Sequence, residues 1–204
     1  LRTALPAFVR NQIGAPEMAA RLEQLRENYP RDAFFSCLNL LGSHDRERLF
    51  TMLGDAPDPD TLSEEECAAF RLDEGHASLA MSRLWLTVLL QMTLPGVPCV
   101  YYGDERGMEG FRDPYNRAAF PWDGGRMDCV TVFRNAIAVR KALPVLTTGD
   151  FEPFADGEDV FGFWRRGEDG ECVCVLANAS LHDAHTVRVP MTGEAVSDVV
   201  SGTT

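Results

Sequence analysis

Leu1, Leu5, Phe8 and Val9 recur at helical spacing from the first residue, so the chain reads as opening inside an amphipathic helix. Asn11 to Ala15 breaks the pattern. Pro16 suits the first turn of a second helix, with Met18, Leu22 and Leu25 on one stripe and Tyr29-Pro30 closing it. Ala33 to Gly42 is almost wholly apolar, with the length of a strand buried on both faces, and it stops abruptly at Ser43-His44-Asp45. Gly54 to Asp60 reads as a loop, and Ser63 with Glu66 as the capping box of the next helix. A helical run, broken near Gly75, passes through Leu79, Leu86, Leu89 and Leu90 toward Met92 and ends at Pro95-Gly96. Val97 to Tyr102 is a second short apolar strand, closing on Gly103-Asp104-Glu105. After a Gly- and Pro-containing loop from Arg106 to Met127, Asp128 is read as the cap of a helix that turns Val130, Phe133 and Ile137 inward. Pro144 terminates it.

From Leu146 the period changes. Val160–Trp164 and Glu171–Leu176 are β-rich runs around an Arg-Arg-Gly-Glu-Asp-Gly hairpin loop, and Thr186–Pro190 alternates as a further strand. The expected fold class is therefore α/β followed by all-β, divided into residues 1–145 and 146–204. Alternating helices and strands imply a parallel sheet. An eight-stranded barrel takes about 250 residues, and two strands in the first part are too few for a complete one.

Composition narrows the function. In 204 residues, 19 basic against 31 acidic side chains give a net charge of −12. That excludes a broad nucleic-acid or anionic-membrane surface, which needs a local excess of Lys and Arg, and leaves neutral ligands open. No uninterrupted apolar run is long enough for a transmembrane helix. The cysteines, Cys37, Cys67, Cys99, Cys129, Cys172 and Cys174, match neither a zinc pattern nor a disulfide scaffold. Cys37 and Cys99 read as buried thiols, Cys172 and Cys174 as one face of a strand. Free thiols in this number point to a reducing compartment, the cytoplasm. His182 and His185 alone do not define a metal site, and neither metal nor cofactor is expected.

In parallel α/β architectures, functional groups gather beyond the carboxyl ends of the strands. Here those ends offer His44 and Asp45, then Tyr101, Tyr102, Asp104 and Glu105, with Asp113, Asn116 and Arg117 following. Carboxylates accept from vicinal hydroxyls, Arg and His donate, and aromatic rings stack on a sugar's apolar face. Structural roles fit the same residues: a His-Asp pair capping a loop, Asp104 and Glu105 capping amides, Asp113-Pro114 opening a turn, Arg117 in a surface ion pair. The run Glu64-Glu65-Glu66 reads as a solvated helix start.

Asn39-Leu-Leu-Gly-Ser-His-Asp45 with Arg48 resembles the fourth sequence region of the α-amylase superfamily of glycoside hydrolases, in its neopullulanase, cyclomaltodextrinase and maltogenic amylase branch. Leu94 to Glu105, with Gly107-Met108-Glu109-Gly110, is similar to that branch's eighth barrel strand. Asp113-Pro-Tyr-Asn-Arg117 and Phe120-Pro-Trp122 continue the likeness. The resemblance runs from about Glu17 to Leu143, and more loosely beyond. It implies strands seven and eight of a (β/α)8 barrel with their helices, then a trimmed C-terminal β-sandwich, in a piece of a retaining α-glucan hydrolase.

In that family, Asp45 would be the catalytic carboxylate that stabilises the transition state by holding the 2- and 3-hydroxyls of the distorted sugar. His44 would hydrogen-bond the same sugar, and Asp113 and Arg117 would hold further glucose units. Where the family usually has Thr after the Asp, this chain has Arg46. No segment matches the family's nucleophile Asp or general-acid Glu, so the chain alone is expected to be inactive. Cyclodextrins, pullulan, maltodextrins or starch would be the parent's substrates, and an α-glucan oligosaccharide the partner. A non-catalytic glucan-binding or interaction module, and a transglycosylase or isomerase of the same superfamily, remain alternatives. Two strands with open edges also predict a homo-oligomer, or pairing with a missing N-terminal half.

Overall fold

The computed structural model describes residues 1–189 and 197–200. Helix α1 (Ala4–Val9) buries Leu5, Phe8 and Val9. Helix α2 (Ala15–Asn28) has Pro16 in its first turn, where an amide N–H has no intrahelical partner to lose. Met18 and Leu22 form its buried stripe; Leu25 lies outside it.

The strand expected over Ala33–Gly42 is divided. Arg31–Ser36 is helix α3, and only Leu38–Leu40 is strand β1. Pro30 starts α3, and the helical turn puts Phe34 against Phe151, with ring centroids 6.0 Å apart. Burial of that ring outweighs the strand preference of the run. Helix α4 (Leu49–Leu53) follows β1. Helix α5 (Glu64–Ala69) opens on the expected capping box: Glu66 N donates to Ser63 Oγ (3.2 Å), and Ser63 N to Glu66 Oε2 (2.8 Å). The break expected near Gly75 falls instead at Phe70–Asp73. Asp73 accepts from His76 N (2.8 Å) to start helix α6 (Glu74–Thr93), with Gly75 already in its first turn.

Strand β2 (Val97–Cys99) is half its expected length and pairs in parallel with β1, Leu38 opposite Val97 and Leu40 opposite Cys99. Gln91, buried on α6, donates to the carbonyls of both Asn39 (2.7 Å) and Cys99 (3.0 Å). Among the described residues the pair has no third strand. The face that Leu38 and Val97 share is also uncovered: Leu38 is 65% exposed and Val97 48%, which corrects the expectation of burial on both faces. For the same reason Cys37 is exposed and Cys99 only half-buried, although both were read as buried thiols.

Helix α7 (Met127–Ala142) has Arg126 at its cap, so Asp128 sits in the first turn instead of capping it, and accepts from Cys129 N (2.9 Å). Its inward stripe is Cys129, Val132, Phe133 and Ala136; Val130 and Ile137 are half-buried. After the short helix α8 (Val145–Thr148) come β3 (Asp150–Asp156), β4 (Val160–Arg166) and β5 (Cys172–Asn178), antiparallel in the order β3-β4-β5. The sequence pattern did not mark β3; its Pro153 is tolerated because the strand lies at an edge. Arg165 and Arg166, read as hairpin loop, are ladder residues opposite Val173 and Cys172, so the loop shrinks to 167–171. Thr186–Val189 has no strand pairing because no described strand lies alongside it; Pro190 falls outside the described residues.

One apolar cluster runs through both parts, from Leu5 and Met18 through Leu84, Val88 and Phe133 to Phe151, Phe161 and Phe163. Phe8 meets Phe161 edge-on at 5.8 Å. Arg165, fully buried on β4, donates to the carbonyls of Leu146 (2.6 Å), Thr93 (2.9 Å), Gly149 (2.9 Å) and Asp150 (3.2 Å). Burial, with Arg140 and Arg31 nearby, lowers its pKa to about 10, which leaves it charged at neutral pH. No helix among the described residues is long and apolar enough to cross a membrane.

Candidate functional site

Because β1 and β2 are parallel, their carboxyl ends open on the same side. Beyond β1 the chain runs through Gly42 and Ser43 into a loop, residues 43–47, whose backbone is fastened at several points. Ser43 Oγ accepts from Arg2 Nη2 (3.0 Å) and from Asp45 N (3.3 Å). Asn116 Nδ2 donates to His44 O (2.9 Å) and Arg46 O (2.6 Å). Ser43 is buried, whereas the next two side chains point outward: His44 is 64% exposed and Asp45 63%, with Nε2 and Oδ1 3.1 Å apart. A held backbone presenting an exposed polar pair suits recognition of a hydroxylated ligand.

Beyond β2, Gly103 adopts a left-handed φ of 85° and opens a 3-10 turn, Asp104–Arg106. That backbone conformation favours glycine, and a Cβ there would also sit 2.1 Å from Met108 Sδ. Glu105 accepts from Gly103 N (2.8 Å), the amide-capping role open to it, while Tyr102 Oη donates to Ala118 O (3.0 Å). The following loop carries Asp113 and Arg117, joined as an exposed ion pair at 2.7 Å across a 3-10 turn, Tyr115–Arg117. Asn116 lies inside that turn, fully buried, and bonds to the 43–47 loop. The structure thus brings together the two segments holding His44, Asp45, Asp113 and Arg117, with Asn116 as the fastener between them.

Arg48 ends the first motif, with no role that the resemblance assigns to it. It is 1% exposed, its guanidinium lies over the rings of Tyr102 (4.4 Å) and Tyr101 (4.8 Å), and Nη1 donates to Tyr102 O. Asp104, 3% exposed, has Oδ1 3.8 Å from that Nη1, and burial pushes its pKa up to about 7 against the pull of Arg48. The sequence signal was a charged residue entering the apolar run Leu49-Phe50. Phe120 and Trp122 meet at 4.9 Å, with Trp122 79% exposed.

No group of His, Cys, Asp or Glu among the described residues is arranged to hold a metal ion. His185 instead pairs with Asp159 at 3.2 Å. A groove of about 390 Å³ lined by Val9, Trp85, Leu86, Leu89 and Leu181 lies between α6 and the end of β5 and includes none of the strand-end residues.

No family profile matches the chain. Amylopullulanase from Thermoanaerobacter thermohydrosulfuricus is 36% identical over 211 residues, covering 96% of this chain and 14% of that protein. Cyclomaltodextrinase from Geobacillus thermopakistaniensis is 30% identical, covering 92% of this chain and 28% of its own length. In structure, the cyclic α-maltosyl-(1→6)-maltose hydrolase of Arthrobacter globiformis superposes with a TM-score of 0.71 at 28% identity, over 87% of this chain and 35% of the enzyme. The chain therefore spans well under half of the relatives it matches.

Proposed function

This chain is homologous to the amylopullulanases, cyclomaltodextrinases, neopullulanases and maltogenic amylases of the α-amylase family, and from that premise we propose that its strand-end loops form one wall of an α-glucan cleft. Asp45 grips the 2- and 3-hydroxyls of the sugar at the point of cleavage, His44 donates to the same sugar, and Asp113 with Arg117 holds the next glucose units. The observation that carries this reading is the Asn116 bridge, which holds the loops bearing all four residues against each other. Hydroxyl contacts that strengthen as the ring distorts contribute several kcal/mol to an oxocarbenium-like transition state.

Strands β1 and β2 are read as neighbours in a (β/α)8 barrel, residues 1–145, and the β3–β5 sheet as part of a C-terminal β-sandwich domain, residues 146–204. Retaining cleavage of α-1,4 or α-1,6 bonds also needs a nucleophile and an acid about 5 Å apart. The 204-residue chain alone is therefore expected not to turn over pullulan, cyclodextrin or starch. The open edges of its two-stranded sheet, with the exposed Leu38 and Val97, support self-association or pairing with further strands of a parent protein, which sedimentation would detect. Six free cysteines support a reducing, cytoplasmic setting.

Calorimetric titration with maltoheptaose tests the reading. Binding that Asp45→Ala weakens about 10- to 100-fold is the expected result. Binding that Asp45→Ala leaves unchanged, or hydrolysis by the isolated chain, overturns it.

A further inference from the structure

The loop 43–47 has two roots: it leaves β1 at Gly42 and enters α4 at Arg48. Asp104 touches both. A Cβ on Gly42 would lie 2.2 Å from Asp104 Oδ2, so the absence of a side chain there is what admits the carboxyl. On the other side, Asp104 Oδ1 stands 3.8 Å from Arg48 Nη1. Arg48 is otherwise tightly held, by its own N–H to Gly110 O (2.9 Å), by Tyr102 O and by two aromatic faces. Even so, Arg48 Nε and Nη2 and Asp104 Oδ1 are buried without a hydrogen-bond partner. Buried charged groups normally satisfy one another, because an unpaired one bears its full desolvation cost. This pair stands about 1 Å short of a charge-assisted hydrogen bond.

From this geometry we infer that Asp104 and Arg48 are positioning residues: a proton-sensitive brace across the two roots of loop 43–47, so that the site's affinity for α-glucan follows the protonation of Asp104. The brace stands on contacts within the chain; only its ligand rests on the proposed function.

The groups facing Asp104 set the sign. Burial raises its pKa to about 7, Glu105 on the same turn adds to the rise, and Arg48 and the Leu49 amide oppose it. Tyr101 and Tyr102 lie across Arg48, and on the loop His44 and Asp45 face each other. When Asp104 is protonated, Arg48 is held by Tyr102 O and the two rings alone. When the proton leaves to solvent, the carboxylate draws Nη1 into contact and pulls the roots of the loop together. Glucan affinity therefore rises with pH through neutrality.

Two readouts on the 204-residue protein test this. The first follows the backbone amide resonances of His44, Asp45 and Asn116 from about pH 5 to about pH 9. A transition with a near-neutral midpoint is expected in the wild type and absent in Asp104→Asn. Arg48→Met moves the midpoint upward, since the guanidinium holds it down. The second is maltoheptaose titration over the same range, with affinity rising about tenfold in the wild type and staying flat in Asp104→Asn. Identical pH profiles in wild type and Asp104→Asn overturn the brace. Amide transitions that depend on Asp104, with no maltoheptaose binding at any pH, uphold the brace and defeat the glucan reading instead.

Discussion

At the N-terminal end of the β1–β2 pair, the carbonyls of Met92, Thr93, Leu94, Pro95 and Gly96 each accept from a side chain of another element. Arg140 on α7 supplies Met92 (2.6 Å), Leu94 (3.5 Å) and Gly96 (2.8 Å); Arg165 supplies Thr93 (2.9 Å) and Asn39 supplies Pro95 (2.8 Å). At the C-terminal end, polar atoms of Arg48, Asp104 and Asn116 are buried without partners, and His44, Asp45, Asp113 and Arg117 stand in solvent. One end closes the turn from α6 into β2 by satisfying every carbonyl, two of the three donors being cations at a helix C-terminus. The other leaves buried polar atoms unpaired, beside two exposed ion pairs, His44–Asp45 and Asp113–Arg117. The same two strands thus run from a turn whose carbonyls are all satisfied to an end where polar groups are exposed or unpaired.

Substitutions at each end can break this contrast. Arg165→Ala strands four carbonyls and opens a void, so urea unfolding should show a loss of about 5 kcal/mol, with maltoheptaose affinity of the folded fraction unchanged. A loss below about 1 kcal/mol would show that this end is not the anchor.

A smaller effect belongs to Asp104. Its carboxyl ionises at 3.8 when unconstrained and at about 7 in the fold, so the folded chain keeps an extra proton between those values. The stability this gives is fully present below 3.8 and is lost as pH rises through about 7. Wild type should therefore lose a few kcal/mol relative to Asp104→Asn across that window, read from paired denaturation curves. Parallel curves would show that folding leaves the ionisation of this carboxyl unshifted.

Asn116→Ala should cost about 2 kcal/mol and weaken maltoheptaose binding as well, because it unties the two loops. Asp45→Ala should move stability by no more than about 0.5 kcal/mol while reducing maltoheptaose affinity about 10- to 100-fold. A stability loss at Asp45 matching that at Asn116 would erase the distinction between fastener and contact.

Much of this was legible beforehand. The Ser63–Glu66 capping box and the stop at Pro95-Gly96 rest on neighbours within one turn, and local chemistry suffices to place them. The relationship to α-amylase enzymes was readable because long motifs keep their order and spacing. Elements that depend on distant partners were not. Phe34 and Phe35 read as strand residues until Phe151, far along the chain, gives Phe34 a helical place to pack. Arg165 read as part of a loop because nothing near it marks the carbonyls it caps on α6 and α8.

The same division holds at the site. By itself the sequence determined which groups are present: a His-Asp loop, an Asp-Pro-Tyr-Asn-Arg loop, and aromatic residues after an apolar run. Tertiary structure alone decided that Asn116 ties those loops together, that Arg48 and Asp104 meet beneath them, and which carboxylate is buried. Side-chain identity is encoded residue by residue, whereas desolvation and pairing depend on which atoms the folded chain brings within a few ångströms, and no local pattern records that.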